Sequence, residues 1–434
     1  MRPGGPEATT RRVACDALVR VEDGAYSHVL LPTMLRRSKL QARDRAQVTD
    51  LVYGTLRAQR RLDDLLERVS ARPLKRLDPP VRAALRLGAL QLVQGVPPHA
   101  AVSETVDAVP RRARGYVNAT LRALTRLGPV WPEPDSEAVA LSYPDWLVDR
   151  LRSDLGADDA RGVLLAGNRP AALTLRLNPR RADAASVADE LAAQGASVVG
   201  GELVDSALVV RGAGDPAALA AVAGGRATPQ DQGSQAVVHY LAPTGDELVL
   251  DVAAAPGGKA TAIGELLDPT GLVVAADVNA GRLGMVQVAA ARLGLANVAS
   301  LVADGRNPPV RGSTFDRVLV DAPCSGLGVL RRRAEARWRI DPDAIPGLAD
   351  LQLALVLAGA TAVRPGGTLV YAVCTLTAAE TCDLAATAAA ALPGWSVLDP
   401  PGAPWRPWGP GGLLLPQDAG TDGMFVLGLR RDRG

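Results

Sequence analysis

The second half of the chain alternates short apolar runs with helical stretches. After about residue 226, six apolar runs predict strands: ELVLDV, LVVAADV, VASLV, DRVLVDA, TLVYAVC and MFVLGLR. Nearly continuous apolar strands are typical of a parallel sheet that is covered by helices on both faces. We therefore expect a doubly wound, Rossmann-like α/β domain at this end of the chain.

The first half predicts two further domains, since 434 residues are too many for one hydrophobic core. From Thr9 to about Arg126, apolar residues recur three and four apart, which predicts an all-α bundle. The runs LTLRLN, SVVGG and SALVV, interleaved with helical stretches, predict a small α/β module. The proline-rich stretch GPVWPEPDSE marks a linker between them. The expected domains are residues 1–130, 131–225 (linker and module) and 226–434.

The small net charge of +2 conceals an asymmetry along the chain. Residues 1–130 carry 23 basic and 12 acidic side chains, whereas the remainder carries 25 basic and 34 acidic ones. A basic helical domain favours a phosphate-rich partner such as nucleic acid. The alternative is a general preference for arginine, because lysine occurs only at positions 39, 75 and 259.

Composition argues against several other classes of protein. The four cysteines contain no C-x-x-C pair and the three histidines are dispersed, so we expect neither a metal site nor a disulfide framework. The N-terminal stretch MRPGGPEATTRR has no apolar run, and the apolar segment Leu351–Val363 falls short of the roughly 20 residues that span a bilayer. We expect a cytoplasmic protein without a membrane partner.

A turn of small residues in ELVLDVAAAPGGKATAIGEL predicts a ligand site. A strand ends at Asp251 and a helix begins near Lys259, so glycines and helix N–H groups would face a ligand at the carboxyl end of the sheet. A phosphate-binding P-loop is disfavoured, because Ala253 and Ala260 replace the glycine and the hydroxyl residue that it needs. The absence of G-x-G-x-x-G also weakens a dinucleotide interpretation.

Acidic residues recur at the ends of the later strands, at Asp277, Asp304 and Asp321. A carboxylate at the end of the second strand can accept hydrogen bonds from both ribose hydroxyls. Any one of these side chains could instead cap a turn. Their recurrence favours a ligand-binding edge of the sheet.

Two cysteines also follow predicted strands, Cys324 in DAPCSG and Cys374 in YAVCTL. A thiolate is a strong nucleophile, so this pair suggests thiol chemistry beside the ligand turn. Both could instead be small buried apolar residues, which is the usual role of a free cysteine. The residues alone do not rank the two thiols, and we expect Cys15 and Cys382 to be structural.

Five segments, in order, carry a family resemblance: DVAAAPGGKA, ADVNAGRL, ADGR, DAPCSGLGVLRRRAEARWR and YAVCTLTAAE. They closely resemble the signatures of the S-adenosylmethionine-dependent RNA 5-methylcytosine methyltransferases, in particular the RsmB/Sun type that acts on bacterial 16S ribosomal RNA. Residues 9–130 resemble the NusB-like RNA-binding domain of that type, and TPQDQGSQAVVHYL resembles the segment that enters its catalytic domain. The resemblance implies S-adenosylmethionine as cofactor, 16S ribosomal RNA as substrate and RNA contact by the middle module; we expect a monomer.

The resemblance also implies the roles of individual residues in the cofactor site. The turn from Ala253 to Lys259 would cradle the methionine end of the cofactor, Asp277 would hold the ribose and Asp304 would lie by the adenine. Ala253 stands where the family commonly has cysteine, a change that a turn working through its backbone tolerates. The expected cofactor-binding residues are Ala253, Ala254, Ala255, Pro256, Gly257, Gly258, Lys259, Asp277, Arg282, Asp304 and Asp321.

For catalysis, the resemblance implies attack on the cytosine ring by Cys374 and release of the methylated base with help from Cys324. C5 of cytosine is a poor nucleophile, so covalent attack at C6 must first convert the ring into an enamine. Asp321 would bond the N3 edge of the base. Val373 and Thr381 depart from the residues common in the family, which puts local hydrogen bonding in question more than the chemistry.

The run RRRAEARWR follows the Cys324 loop and favours RNA contact. Its arginines could bind phosphates and its tryptophan could stack on an unpaired base; an ordinary solvated helix start is the alternative. The expected RNA-binding residues are Arg331, Arg332, Arg333, Arg337 and Trp338.

Three other functions remain open from the sequence. Related enzymes with the same catalytic pattern methylate transfer RNA, and only the N-terminal domain favours ribosomal RNA. A non-catalytic assembly factor that keeps the fold is a second alternative, which the presence of Cys374 disfavours. Methylation of an exocyclic amine is a third, but the fourth strand ends in Asp-Ala-Pro-Cys rather than Asn- or Asp-Pro-Pro-aromatic.

Overall fold

The computed structural model describes residues 9–433. The first eight residues of the N-terminal stretch considered above lie outside this range. The chain forms two compact units, each described separately below. Within the described residues, the helical unit comprises residues 9–149, Gly167–Arg169 and Leu330–Arg339, and the sheet unit comprises Arg150–Ala166, Pro170–Val329 and residues 340–433.

The helical unit confirms the predicted α-helical bundle. Its helices are α1 (Thr10–Glu22), α2 (Ser27–Arg37), α3 (Ala42–Glu67), α4 (Pro79–Val93), α5 (Pro98–Asp107), α6 (Arg111–Thr125) and α7 (Glu137–Leu141). Helix α8 (Asp145–Leu155) begins in this unit and ends in the sheet unit. Leucines at helical spacing on α3, α4 and α6 form much of the core, including Leu62, Leu66, Leu85 and Leu121.

Close packing of α4 on α6 depends on a glycine. A Cβ atom at Gly88 would lie 2.5 Å from Leu121 Cδ1, closer than non-bonded carbon atoms approach. The sequence also explains where α4 begins. Pro79 and Pro80 occupy first-turn positions, where a backbone N–H group would have no partner within the helix.

The smaller sheet of the sheet unit is antiparallel, with strand order β2-β3-β1-β4. It confirms the predicted small α/β module and adds one short strand, β4, that the sequence did not indicate. Its strands are β1 (Leu173–Leu177), β2 (Ser197–Gly200), β3 (Ala207–Arg211) and β4 (Ala227–Pro229). Helix α10 (Ala184–Ala193) contacts β2 and helix α11 (Ala220–Ala223) contacts β4. In the chain, α9 (Ala157–Gly167) precedes this sheet and α12 (Gln232–Leu241) follows it.

The larger sheet confirms the predicted doubly wound domain. Its order is β11-β12-β13-β9-β8-β5-β6-β7, with β10 paired to β13. The five strands from β9 to β7 are parallel, and β10 to β13 add antiparallel pairings. The strands are β5 (Leu248–Asp251), β6 (Leu272–Asp277), β7 (Val298–Val302), β8 (Phe315–Asp321), β9 (Val363–Val373), β10 (Trp395–Val397), β11 (Arg406–Trp408), β12 (Gly411–Leu414) and β13 (Met424–Arg431).

Helices α13 (Gly258–Leu266), α14 (Ala280–Leu293), α15 (Ile345–Ala362), α16 (Cys382–Ala390) and α17 (Pro416–Ala419) complete this domain. The apolar helical segment is longer than predicted: Pro342–Ala362 has the length and composition of a membrane-spanning helix. The same properties are typical of a core helix, and α15 contacts β8 and β9. The boundaries predicted near residues 130 and 225 stay predictions, because the two units do not divide the chain at those points.

Candidate active site

Parallel pairing brings the predicted strand ends to one edge of the larger sheet. Asp251 at the end of β5 pairs with Ala275 of β6 on one side and with Leu319 of β8 on the other. Asp321 at the end of β8 pairs with Ala372 of β9. The residues that follow these strands, including both candidate cysteines, therefore leave the sheet at the same edge.

The turn after β5 is held by its backbone. The N–H of Ala254 donates to the carbonyl of Ala276 at 2.8 Å, and the N–H of Ala255 donates to Asp277 Oδ2 at 3.2 Å. Gly257 has φ +107°, and a Cβ there would lie 3.0 Å from Val286 Cα. The turn thus requires small residues, and it leads directly into the N-terminus of α13.

The carboxyl group of Asp251 is buried, and among the described residues it has no hydrogen-bond donor. Its side chain is 0% exposed, and within residues 9–433 neither carboxyl oxygen accepts a hydrogen bond. Burial, followed by the negative charge of Asp321, raises the pKa of Asp251 to about 8. An unsatisfied carboxylate at this depth is unfavourable unless a cation or donor reaches it. The position fits a ligand that brings its own ammonium group, as S-adenosylmethionine does.

Lys259, in the first turn of α13, lies between the turn and the two cysteines. Its Nζ atom is 2.7 Å from Asp321 Oδ2, and its side chain is largely buried. Burial alone would lower the pKa of Lys259, but the charge and hydrogen bond of Asp321, with a smaller contribution from Cys374, raise it. The site therefore keeps a positive charge close to a thiol.

Cys324 and Cys374 lie side by side. Their Sγ atoms are 3.5 Å apart and both residues are half-buried. The hydrogen bond with Cys374, and then burial, raise the pKa of Cys324 well above its ordinary value. The N–H of Gly328 donates to the carbonyl of Cys374 at 2.9 Å, which ties the loop after Cys324 to the end of β9.

The remaining acids bond to nearby backbone groups. Asp277 accepts from the N–H groups of Asn279 and Ala255. Asp304 is partly exposed and accepts from the N–H and guanidinium of Arg306, which lower its pKa to about 2. The turn-capping alternative is thus present at both positions. Ionised carboxylate oxygens accept more than one bond, so the predicted contacts with ribose and adenine stay predictions.

Three family models match separate parts of the chain. The model of the family "16S rRNA methyltransferase RsmB/F" matches residues 238–430. The NusB family model matches residues 8–126, and an RsmF/B-like ferredoxin-like domain matches residues 143–216. "Probable ribosomal RNA small subunit methyltransferase B" of Bacillus subtilis is 33% identical over 98% of this chain and 99% of its own. The chain belongs to the RsmB/F methyltransferase family.

Other comparisons agree with this RsmB/F assignment. "Ribosomal RNA small subunit methyltransferase B" of Xylella fastidiosa is 35% identical over 90% of both chains. The crystal structure of PH0851 superimposes with a TM-score of 0.84, with 26% identity over 99% of this chain and 100% of that one. As a member of the RsmB/F family, the chain is an S-adenosylmethionine-dependent RNA methyltransferase with a NusB-like domain.

In this RsmB/F protein, the basic run RRRAEARWR belongs to the helical unit, and two of its arginines are buried there. Arg337 is 0% exposed; its guanidinium stacks 3.9 Å from the Tyr143 ring centroid and donates to Asn168 Oδ1 at 2.7 Å. Arg331 is buried as well. RNA contact by these two side chains stays a prediction, and their burial disfavours it.

For the other residues of this run, RNA contact stays a prediction. The indole N–H of Trp338 donates to the carbonyl of Leu56 at 3.1 Å, and the ring is half-buried. Arg332 is half-buried and Arg333 is exposed. Cys15, predicted to be structural, lies in the core of the helical unit, where burial raises its pKa to about 12.

The sequence did not indicate one buried group of this RsmB/F site. Glu380, six residues after Cys374, is 0% exposed and accepts hydrogen bonds from the loops that follow both cysteines. The sequence offered one indication of Glu380, its position in the YAVCTLTAAE segment close to a candidate nucleophile. An acidic side chain at such a position is either exposed or bonded to a defined partner.

Proposed function

We propose that this enzyme transfers a methyl group from S-adenosylmethionine to C5 of a cytosine in 16S ribosomal RNA, through a covalent bond between Cys374 and C6. The observation that carries the proposal is the pair of thiols, 3.5 Å apart, beside a ligand turn at the same sheet edge. Methylation of an exocyclic amine needs no thiol, and this pair favours ring activation over it.

The residues of the turn fit the cofactor. Asp251 would receive the ammonium group of the methionine end, which supplies hydrogen-bond donors to carboxyl oxygens that have none among the described residues. Asp277 would hold the ribose, and Arg282, whose guanidinium donates to the carbonyl of Ala255, would support the turn. Asp304 would lie by the adenine. The bound cofactor supplies an electrophilic methyl group.

Attack requires a thiolate at Cys374 close to the base. The ammonium of Lys259 stabilises negative charge near this sulfur, and the raised pKa of Cys324 keeps the second thiol protonated beside it. Cys374 Sγ forms a bond with C6, the electron pair of the C5=C6 bond forms C4=C5, and the electron pair of the C4=N3 bond moves to N3. N3 then takes a proton through Asp321, which is replaced from the Lys259 ammonium bonded to it. Asp321 would bond that N3 edge and hold the base in place.

Release reverses the addition after the methyl group has reached C5. The C5 proton must leave as a proton, its bonding electrons must restore the C5=C6 bond, and Cys374 must depart with the electrons of the S–C6 bond. Cys324 can protonate the departing sulfur and take the C5 proton in its place, because a thiol with a high pKa yields a strong base. Both sulfurs are then thiols, and N3 returns its added proton to the Lys259–Asp321 pair.

The helical unit supports an RNA substrate. Residues 1–130 carry an excess of 11 basic over acidic side chains, and the NusB family model covers most of them. Exposed arginines such as Arg333 and those of α6 can contact phosphates independently of sequence. We further propose a cytoplasmic enzyme that acts as a monomer, with domains at residues 1–130, 131–225 and 226–434.

A methylation assay tests this proposal. The enzyme, isotopically labelled S-adenosylmethionine and unmodified 16S ribosomal RNA should yield label in 5-methylcytosine after digestion to nucleosides. Unmodified transfer RNA, tested in parallel, should remain unlabelled, and labelling of transfer RNA alone would favour the alternative substrate. RNA binding without transfer would contradict the enzymatic function and favour an assembly factor. Label in the exocyclic amine would exclude C5 chemistry.

A further inference from the structure

Glu380 holds two loops of the candidate site together. Its Oε1 atom accepts from the N–H of Ser325 at 2.8 Å and from Nε2 of Gln352 at 3.0 Å. Its Oε2 atom accepts from the hydroxyls of Thr375 at 3.0 Å and Thr377 at 2.9 Å, and from the hydroxyl of Ser325. Five donors therefore converge on one carboxyl group in the interior.

The donors are placed next to the two thiols. Ser325 directly follows Cys324 and Thr375 directly follows Cys374, and their hydroxyl oxygens are 2.6 Å apart. A single carboxyl thus links the loop of one cysteine to the loop of the other. Movement of either loop would break hydrogen bonds to Glu380.

Residues of α15 and β9 form further hydrogen bonds around Glu380. Gln352 of α15 also donates to the carbonyl of Pro323 at 2.9 Å. The single hydroxyl hydrogen of Tyr371, on β9, is shared between Gln352 Oε1 at 3.0 Å and the carbonyl of Glu380 at 2.7 Å. Gln352, Tyr371 and Glu380 are all 0% exposed. Fully satisfied polar networks of this kind are rigid and specify one geometry.

We propose that Glu380 is a positioning residue that fixes the separation of the Cys324 and Cys374 thiols, and thereby the rate of base release relative to attack. This inference rests on the proposed covalent mechanism. Release is the step that depends on both sulfurs at once, whereas attack depends on Cys374 and the base. Loss of the link should therefore slow release more than attack.

The ratio of adduct to product tests this role. During turnover, Glu380→Ala should accumulate RNA–protein adduct that survives denaturing electrophoresis, at least about tenfold above the unmodified enzyme, since a 1 Å misplacement costs about 10²-fold in rate. Glu380→Gln should restore part of the release rate. Its amide oxygen can accept from Ser325 and Gln352, while the hydroxyls rotate to accept from its NH₂ group.

Two controls separate positioning from loss of stability. Gln91→Ala removes a buried side chain that hydrogen-bonds Thr105 in the helical unit, so it should lower the unfolding midpoint without accumulating adduct. Thr377→Val and Thr375→Val each remove one hydroxyl from the same carboxylate oxygen. Only Thr375→Val, the change next to Cys374, should raise the adduct fraction.

Each outcome has a defined meaning. An adduct fraction in Glu380→Ala equal to that of the unmodified enzyme would overturn the positioning role. If Glu380→Ala does not fold, equal adduct fractions in Thr375→Val and Thr377→Val would overturn it instead. Failure of the covalent mechanism itself is distinguishable, because Cys324→Ala would then form no adduct either.

Discussion

The sulfur atoms of Cys324 and Cys374 lie 3.5 Å apart, although 50 positions separate them in the chain. If Cys374 attacks the base and Cys324 assists release, the two alanine variants must differ. Cys374→Ala should reduce methyl transfer below detection and form no adduct. Cys324→Ala should form the adduct but not resolve it, which denaturing electrophoresis with labelled RNA would reveal. An adduct that requires Cys324 instead would reverse the assigned roles.

Lys259 should affect the pH dependence of the reaction. Its ammonium, beside Asp321, stabilises negative charge near Cys374, so Lys259→Met should lower kcat/KM by roughly 10²-fold. Because a thiolate without a nearby cation forms only at higher pH, the rate of the variant should recover in part as the pH is raised. Lys259→Arg keeps the charge in a planar group and should lose less activity. Equal losses in the two variants at every pH would argue against this role for the charge.

Cofactor binding should release a proton from Asp251. Its pKa of about 8 means that a cationic ligand must bind the ionised form at the expense of the protonated one. The Kd of S-adenosylhomocysteine, which keeps the ammonium group, should fall by up to about tenfold per pH unit from about pH 6 to about pH 8. Titration calorimetry in buffers of different ionisation enthalpy would measure the proton. Asp251→Asn should abolish the dependence, whereas Asp304→Asn should preserve it, because Asp304 titrates near pH 2.

The carboxyl group of Asp251 should also make the stability of the ligand-free protein depend on pH. The pKa of Asp251 is raised from 3.8 to about 8 in the folded protein, so between these values the folded state binds more protons than the unfolded chain. This contribution to stability is fully present below about pH 4 and is lost as the pH rises through about 8. Urea unfolding across this range should show a smaller fall in stability for Asp251→Asn. An unchanged fall would place the titration elsewhere.

Arg337 should matter for folding and not for RNA contact. Its buried guanidinium bonds Asn168 and stacks on Tyr143, so Arg337→Ala should destabilise the helical unit by about 3 kcal/mol. Arg333→Ala, at an exposed position, should leave stability within about 0.5 kcal/mol and weaken RNA binding. Chemical denaturation and RNA titration of both variants would check this. A stable Arg337→Ala variant that binds RNA more weakly would contradict it.

The strands of the larger sheet could be predicted where local sequence determines them. The run LVVAAD is apolar because most of its side chains are buried, and it ends in Asp277 at the ligand edge. Strands β10, β11 and β12 were not foreseen, since they are short and rich in glycine, proline or tryptophan. They form only through antiparallel pairing with β13 or with each other.

Within the candidate site, the sequence indicated the groups that react better than those that hold them. The cysteines and the strand-end acids stand in motifs, so their positions follow from the fold. Glu380 bonds two donors that are distant in the chain, Gln352 and Ser325, 28 and 55 positions upstream, which no local pattern reveals. The burial of Arg337 was not foreseen for the same reason, because its neighbours come from distant parts of the chain.

The segment Leu330–Arg339 limits how this protein can be divided. It is reached only six residues after Cys324, yet it belongs to the helical unit, where Glu335 accepts from the N–H and hydroxyl of Ser27 at 2.8 and 2.7 Å. A fragment that starts after the NusB-like helices would keep this segment but lose partners such as Ser27. Gene fusions or chimaeras that exchange the N-terminal region as a cassette must therefore exchange these ten residues with it.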